Sequence, residues 1–129
     1  MDASETRTHF PPPGGYAALP FSMGVLAGNM FYMAGHLGID LVARKVPADV
    51  EQEARLMLDG FRATLEKAGL TMQDLVYVQI FCSDVSLFDR FNAIYRTYFS
   101  EPLPARAFIG SGPLLFGAHF EIQGIATAP

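Results

Sequence analysis

The chain has 129 residues, enough for one domain with a hydrophobic core that needs no staples. Half of the residues are hydrophobic and only 17% are charged, and the net charge of -4 excludes the basic footprint on which nucleic-acid binding relies. No apolar run reaches the roughly 18 residues of a membrane helix. The polar, acidic start Met1-Asp2-Ala3-Ser4-Glu5 is unlike a signal peptide, and the single cysteine, Cys82, has no partner for an internal disulfide. A soluble, cytoplasmic protein is expected, and its apolar excess points to surface buried between subunits.

Residues 1–20 carry Pro11-Pro12-Pro13-Gly14-Gly15, which excludes regular helix and central strand and reads as an arm or covering loop. Residues 21–129 form the domain proper. Two apolar stretches, from Phe21 to Ala27 and from Met30 to Gly35, flank Gly28-Asn29, a pair that tolerates positive φ and suits a tight hairpin. From Leu37 to Pro47 the chain reads as a loop with room for a short strand. Helix is expected from Asp49 to Ala68: Asp49 caps it, Glu51 and Glu53 lie in its first turn, and Gly69 ends it. Val50, Ala54, Met57, Leu58, Phe61 and Leu65 recur every three or four residues as one buried stripe.

Leu75 to Cys82 reads as a strand rich in β-branched and aromatic residues. Asp84 to Phe99 reads as a second helix, with Leu87, Phe88, Phe91, Ile94, Tyr95 and Tyr98 on its apolar face. Pro104 leads Arg106 into a strand, and His119 to Thr127 forms the last one. The order ββ, α, β, α, ββ predicts an α+β fold, a single mixed sheet of about four to six strands with two helices on one face.

Arg106 and Glu121 fall on these last two strands. Neighbouring strand segments would bring them together as a small polar site in apolar surroundings. The arginine offers a planar fork for a carboxylate, and the glutamate a handle for a proton or a water. Equally, both residues read as surface strand ends joined in a salt bridge.

Pro20-Phe21-Ser22, Val25 to Asn29, Phe31 to His36, Phe91 to Tyr95 with Tyr98-Phe99, Pro104-Ala105-Arg106, and Glu121-Ile122 with Gly124-Ile125-Ala126 occur in an order that resembles the RidA/YjgF family. These are the reactive intermediate deaminases, also known as L-PSP endoribonucleases or translation inhibitors, and the resemblance spans residues 19 to 127. It implies a chorismate-mutase-like homotrimer with inward-facing sheets and a cleft at each subunit interface, acting on 2-imino or 2-enamino acids without metal or cofactor. Arg106 then matches the arginine that binds the substrate carboxylate, and Glu121 the acid that positions the attacking water. Asn92 matches an asparagine near the cleft, which otherwise reads as a helix-surface amide.

Other positions depart from the family pattern. Phe21 stands where many members carry tyrosine, and reads as a pocket wall or a plain core phenylalanine. Ala34-Gly35-His36 replaces Ser-Gly-Gln. Gly35 allows close backbone approach to a ligand, and His36 has a side chain that titrates near neutrality, though a lone histidine is more often structural. Ala107 lacks the hydroxyl common after the arginine. Gln123, on the same strand face as Glu121, replaces a second glutamate. These losses of polarity suggest a bulkier or ring-cleavage-type substrate as an alternative, and a non-catalytic 2-oxo acid-binding regulatory trimer is another. RNA cleavage is not expected of an acidic chain lacking a basic groove and a His-based acid/base pair. His9, His36 and His119 have no metal-ligand spacing, and Cys82 reads as a buried apolar residue.

Overall fold

The computed structural model describes residues 6–14, 19–40 and 42–129. The acidic start at residues 1–5, Gly15 of the proline-rich segment, and Leu41 lie outside the described residues. Six strands make one sheet: β1 (Arg7–Phe10), β2 (Gly24–Ala27), β3 (Met30–Leu37), β4 (Leu75–Cys82), β5 (Ala105–Gly110) and β6 (Phe120–Thr127). Their spatial order is β1-β2-β3-β6-β4-β5, antiparallel except for the parallel pair β4 and β5. The first strand corrects the reading of residues 1–20 as arm or loop alone. Arg7–Phe10 pairs with β2 at the sheet edge, and the prolines that follow it stay outside the ladder.

The hairpin expected at Gly28-Asn29 joins β2 to β3, with Gly28 at φ +61°. Helix α1 (Val50–Lys67) starts at Asp49, whose carboxylate accepts the Glu51 N–H, and Gly69 follows its end at φ +76°. The second helix is shorter than expected. Only α2 (Phe88–Tyr95) is α-helical, and 3₁₀ turns at Val85–Leu87 and Arg96–Tyr98 occupy its expected ends. Asp84, the first residue of the expected helix, takes the Ser86 N–H and so caps the first of these turns.

Both helices cover one face of the sheet. Alternate residues of the central strands point at them: Phe31 and Met33 from β3, Val78, Ile80 and Cys82 from β4, and Phe120, Ile122 and Ala126 from β6. They pack on the α1 stripe of Ala54, Met57, Leu58, Phe61 and Leu65 and on Phe91, Ile94 and Tyr95 of α2. Each fully buried large side chain there contributes about 1.5–3 kcal/mol. Cys82 lies in this core, where burial pushes its thiol pKa up, as expected of an apolar cysteine.

Nothing among the described residues of the chain covers the other face in the same way. Tyr32, Tyr77, Gln79, Phe81, Ile109, Glu121, Gln123 and Ile125 alternate onto it, and Tyr32 is 48% exposed. No helix is long and apolar enough to cross a membrane among the described residues.

Candidate functional site

Arg106 and Glu121 do not meet within the chain, which corrects the expectation of neighbouring strand segments. Strand β4 lies between β5 and β6, and Arg106 pairs with Val78 while Glu121 pairs with Phe81. Val78 faces the helices and Phe81 the open face, so the arginine and the glutamate stand on opposite sides of the sheet.

On the helix side, half-buried Arg106 donates from Nη1 to Asn92 Oδ1 of α2 at 2.8 Å. Its Cζ lies 4.7 Å from the Tyr95 ring centroid, 5.6 Å from Phe108 and 5.8 Å from Phe88. The carboxamide thus anchors one edge of the fork, and the rings fix its plane. Among the described residues no carboxylate pairs with Arg106, which leaves its other N–H groups available to an anion. The Tyr95 hydroxyl beside it is buried without a hydrogen-bond partner among the described residues. Burial pushes its pKa up to about 12, against the pull of the Arg106 charge.

On the open face, Glu121 lies over Gly35 of β3. A Cβ added at Gly35 would sit on Glu121 Oε2, so glycine is what lets the carboxylate rest against the backbone. Glu121 makes no hydrogen bond or ion pair among the described residues, and partial burial holds its pKa above the usual carboxylate range. Ala107 shares this face but sits on β5, two strands away from Glu121. Gln123 does lie on the same face as Glu121, and donates to Gln79 Oε1. Phe21, in the loop before β2, is 46% exposed rather than a core phenylalanine.

His36 lies in the core, in the manner of a structural histidine, and not on the open face with Gly35. A register shift in β3 between Met33 and His36 turns Gly35 and Leu37 to the open face and His36 into the core, where it is 5% exposed. Its Nδ1–H donates to the Ala34 carbonyl (2.7 Å), and its Nε2 accepts from the Thr64 hydroxyl (2.8 Å). The Phe61 ring lies edge-on at 5.1 Å. Burial lowers its pKa to about 4 from 6.5, only partly offset by the Ala34 carbonyl.

Between pH 6.5 and 4 the unfolded chain therefore takes up a proton that the folded chain refuses, so stability falls with pH across that window and is unaffected above it. By pH 4 the loss reaches roughly 3 kcal/mol. In His36→Gln that part of the slope should vanish, as read from urea midpoints of both proteins at pH 7, 5.5 and 4.5. A wild-type slope equal to the variant's would refute it.

Sequence reasoning missed the part played by Glu53. It is a first-turn residue of α1, but its side chain is fully buried rather than turned to solvent. Its Oε2 accepts the N–H groups of His119 (2.7 Å) and Phe120 (3.1 Å), and Oε1 takes the His119 Nδ1–H (2.7 Å). The carboxylate pins the start of β6, one residue before Glu121. The available signal was its place one position before Ala54, at the edge of the apolar stripe.

The pattern of the endoribonuclease L-PSP family matches residues 14–128. Over 111 residues the chain is 36% identical to the 2-iminobutanoate/2-iminopropanoate deaminase of Escherichia coli K12, covering 84% of this chain and 87% of that one. The crystal structure of the YjgF gene product from E. coli is similar with a TM-score of 0.81 and 33% identity, covering 94% of each chain. E. coli TdcF with bound serine matches with a TM-score of 0.81 and 27% identity, again over 94% of each chain. With sequence and fold agreeing over nearly the whole chain, the protein belongs to the endoribonuclease L-PSP family, that of the RidA/YjgF proteins.

Proposed function

We propose that the protein is an imine deaminase, hydrolysing 2-imino or 2-enamino acids to 2-oxo acids and ammonia in clefts shared between copies of the chain. The observation that carries this reading is the state of Arg106: half-buried among aromatic rings, anchored by Asn92, and without a carboxylate partner among the described residues. A guanidinium so placed is an anion site, and its fork suits a planar carboxylate. The activity in the name of the E. coli relative supports this chemistry, and the serine bound to TdcF is likewise a small carboxylate.

Glu121 handles the water. Partial burial raises its pKa, which makes the carboxylate a stronger base toward a water held against it. Water adds to C2 of the protonated imine as Glu121 takes one of its protons, giving a carbinolamine. That proton passes to the nitrogen, the C–N bond breaks, and ammonia leaves. The remaining hydroxyl proton goes through Glu121 to solvent as the 2-oxo acid forms. Every proton comes from water, the substrate or Glu121, so the scheme calls for no metal or cofactor.

Because Arg106 and Glu121 stand on opposite sides of one sheet, a working cleft joins the arginine half of one copy to the glutamate half of another. A homotrimer with its open, apolar sheet faces turned inward meets this need, and burial of those faces supplies the driving force.

Freshly generated 2-aminoacrylate should release ammonia and 2-oxo acid faster with the protein than without it. Arg106→Ala and Glu121→Ala should each lose most of the activity alone, and unfolding and refolding them together should restore part of it through mixed clefts. No acceleration by the wild type with this or with a larger 2-imino acid would refute the deaminase reading, and no recovery on mixing would refute the shared cleft.

Gly35→Ala probes the same site. The added methyl pushes away the end of a flexible side chain, so unfolding stability should change by less than about 1 kcal/mol. Turnover should fall roughly ten- to a hundredfold, since displaced general-base groups cost that order of rate. An unchanged kcat would mean that the Glu121 position is unimportant.

A further inference from the structure

The surroundings of Arg106 also bear on which side chain the substrate carries, an inference that rests on the carboxylate-clamp reading. Among the described residues, three aromatic rings lie within 6 Å of its guanidinium carbon, those of Tyr95, Phe108 and Phe88. Tyr95 is buried and belongs to the core. Phe88, at the start of α2, is 42% exposed, and Phe108 is half-buried on the edge strand β5. The Phe88 and Phe108 rings meet edge to face at 4.9 Å, and together make an apolar shelf beside the anchored fork.

The shelf offers no hydrogen bond. A small polar 2-oxo or 2-imino acid held by Arg106 leaves it facing water, whereas an aryl group on C3 of the same acid covers it. Rings in that position stack edge to face or offset with further favourable energy beyond area burial.

We propose that Phe88 and Phe108 are specificity-determining residues, and that the site takes 2-imino acids with aromatic or large apolar side chains in preference to two- or three-carbon ones.

The test is calorimetric binding of two stable product-like acids, phenylpyruvate and 2-oxobutyrate, to the wild type and to Phe108→Ser, Phe88→Ala and Arg106→Ala. Phenylpyruvate should bind the wild type about tenfold more tightly. That ratio should fall toward one in Phe108→Ser, and also in Phe88→Ala, whose exposed position keeps the test valid if the first variant does not fold. Binding of both acids with equal strength, lost in Arg106→Ala, would overturn the aromatic preference and leave the clamp standing. Binding of neither acid, or binding indifferent to Arg106→Ala, would overturn the clamp and the preference together.

Discussion

Arg106→Ala is expected to lower kcat/KM for 2-imino acids roughly 100- to 1,000-fold, the loss of two charge-assisted hydrogen bonds to a carboxylate. The effect should be large because nothing among the described residues substitutes for the guanidinium. Its one hydrogen-bond partner there is the neutral Asn92, and the rings around it carry no charge. Arg106→Lys separates charge from geometry. It keeps the positive charge but cannot hold Asn92 on one edge of a planar fork and a carboxylate on the other, so it should fall between wild type and alanine. Steady-state kinetics beside a thermal melt decides the matter. A large kinetic loss with a small change in Tm is the expected pattern, and a kinetic loss no larger than that of a distant surface variant would reject the clamp.

Glu53→Ala should be the most destabilising single change considered, by about 3–5 kcal/mol. Truncation strands two backbone N–H groups, at His119 and Phe120, together with the His119 imidazole, and opens a cavity where a fully buried side chain stood. Glu53→Gln should cost less, about 1–2 kcal/mol, because its one acceptor oxygen can still take one or both N–H groups. Urea unfolding at pH 7 measures both. Loss of less than 1 kcal/mol in the alanine variant would show that water takes over the stranded groups. Since Glu53 pins His119 and Phe120, immediately before Glu121, Glu53→Gln should also lower turnover more than its stability cost suggests.

Local rules made much of the fold legible. The Asp49 cap, the three-and-four spacing of α1, the Gly28-Asn29 turn and the apolar run Leu75–Cys82 each report on contacts within a few residues, and all appear where the pattern puts them. The second helix was harder to place, because its apolar spacing continues through segments whose backbone winds as 3₁₀ turns. Strand β1 was masked by the prolines beside it, which bar a central strand but not an edge one.

The candidate site was legible in its residue types and not in its geometry. Arg106, Asn92, Gly35 and Glu121 could be singled out from their sequence context. Which of them touch depends on strand order and on the phase of each strand, and neither is a local property. Insertion of β4 between β5 and β6 separates the arginine from the glutamate, and the period of two then sets them on opposite faces. One irregularity in β3 turns His36 into the core and leaves Gly35 under Glu121. An acid in a first helical turn is marked for the interior only by its place at the edge of the apolar stripe, and the approach of β6 decides that Glu53 turns inward.

By itself, the sequence determined the elements, their caps and the chemical groups on offer, because those follow from steric preferences and periodicity along the chain. The tertiary structure decided which groups meet, because a one-residue shift of register costs little locally and exchanges the two faces of a strand.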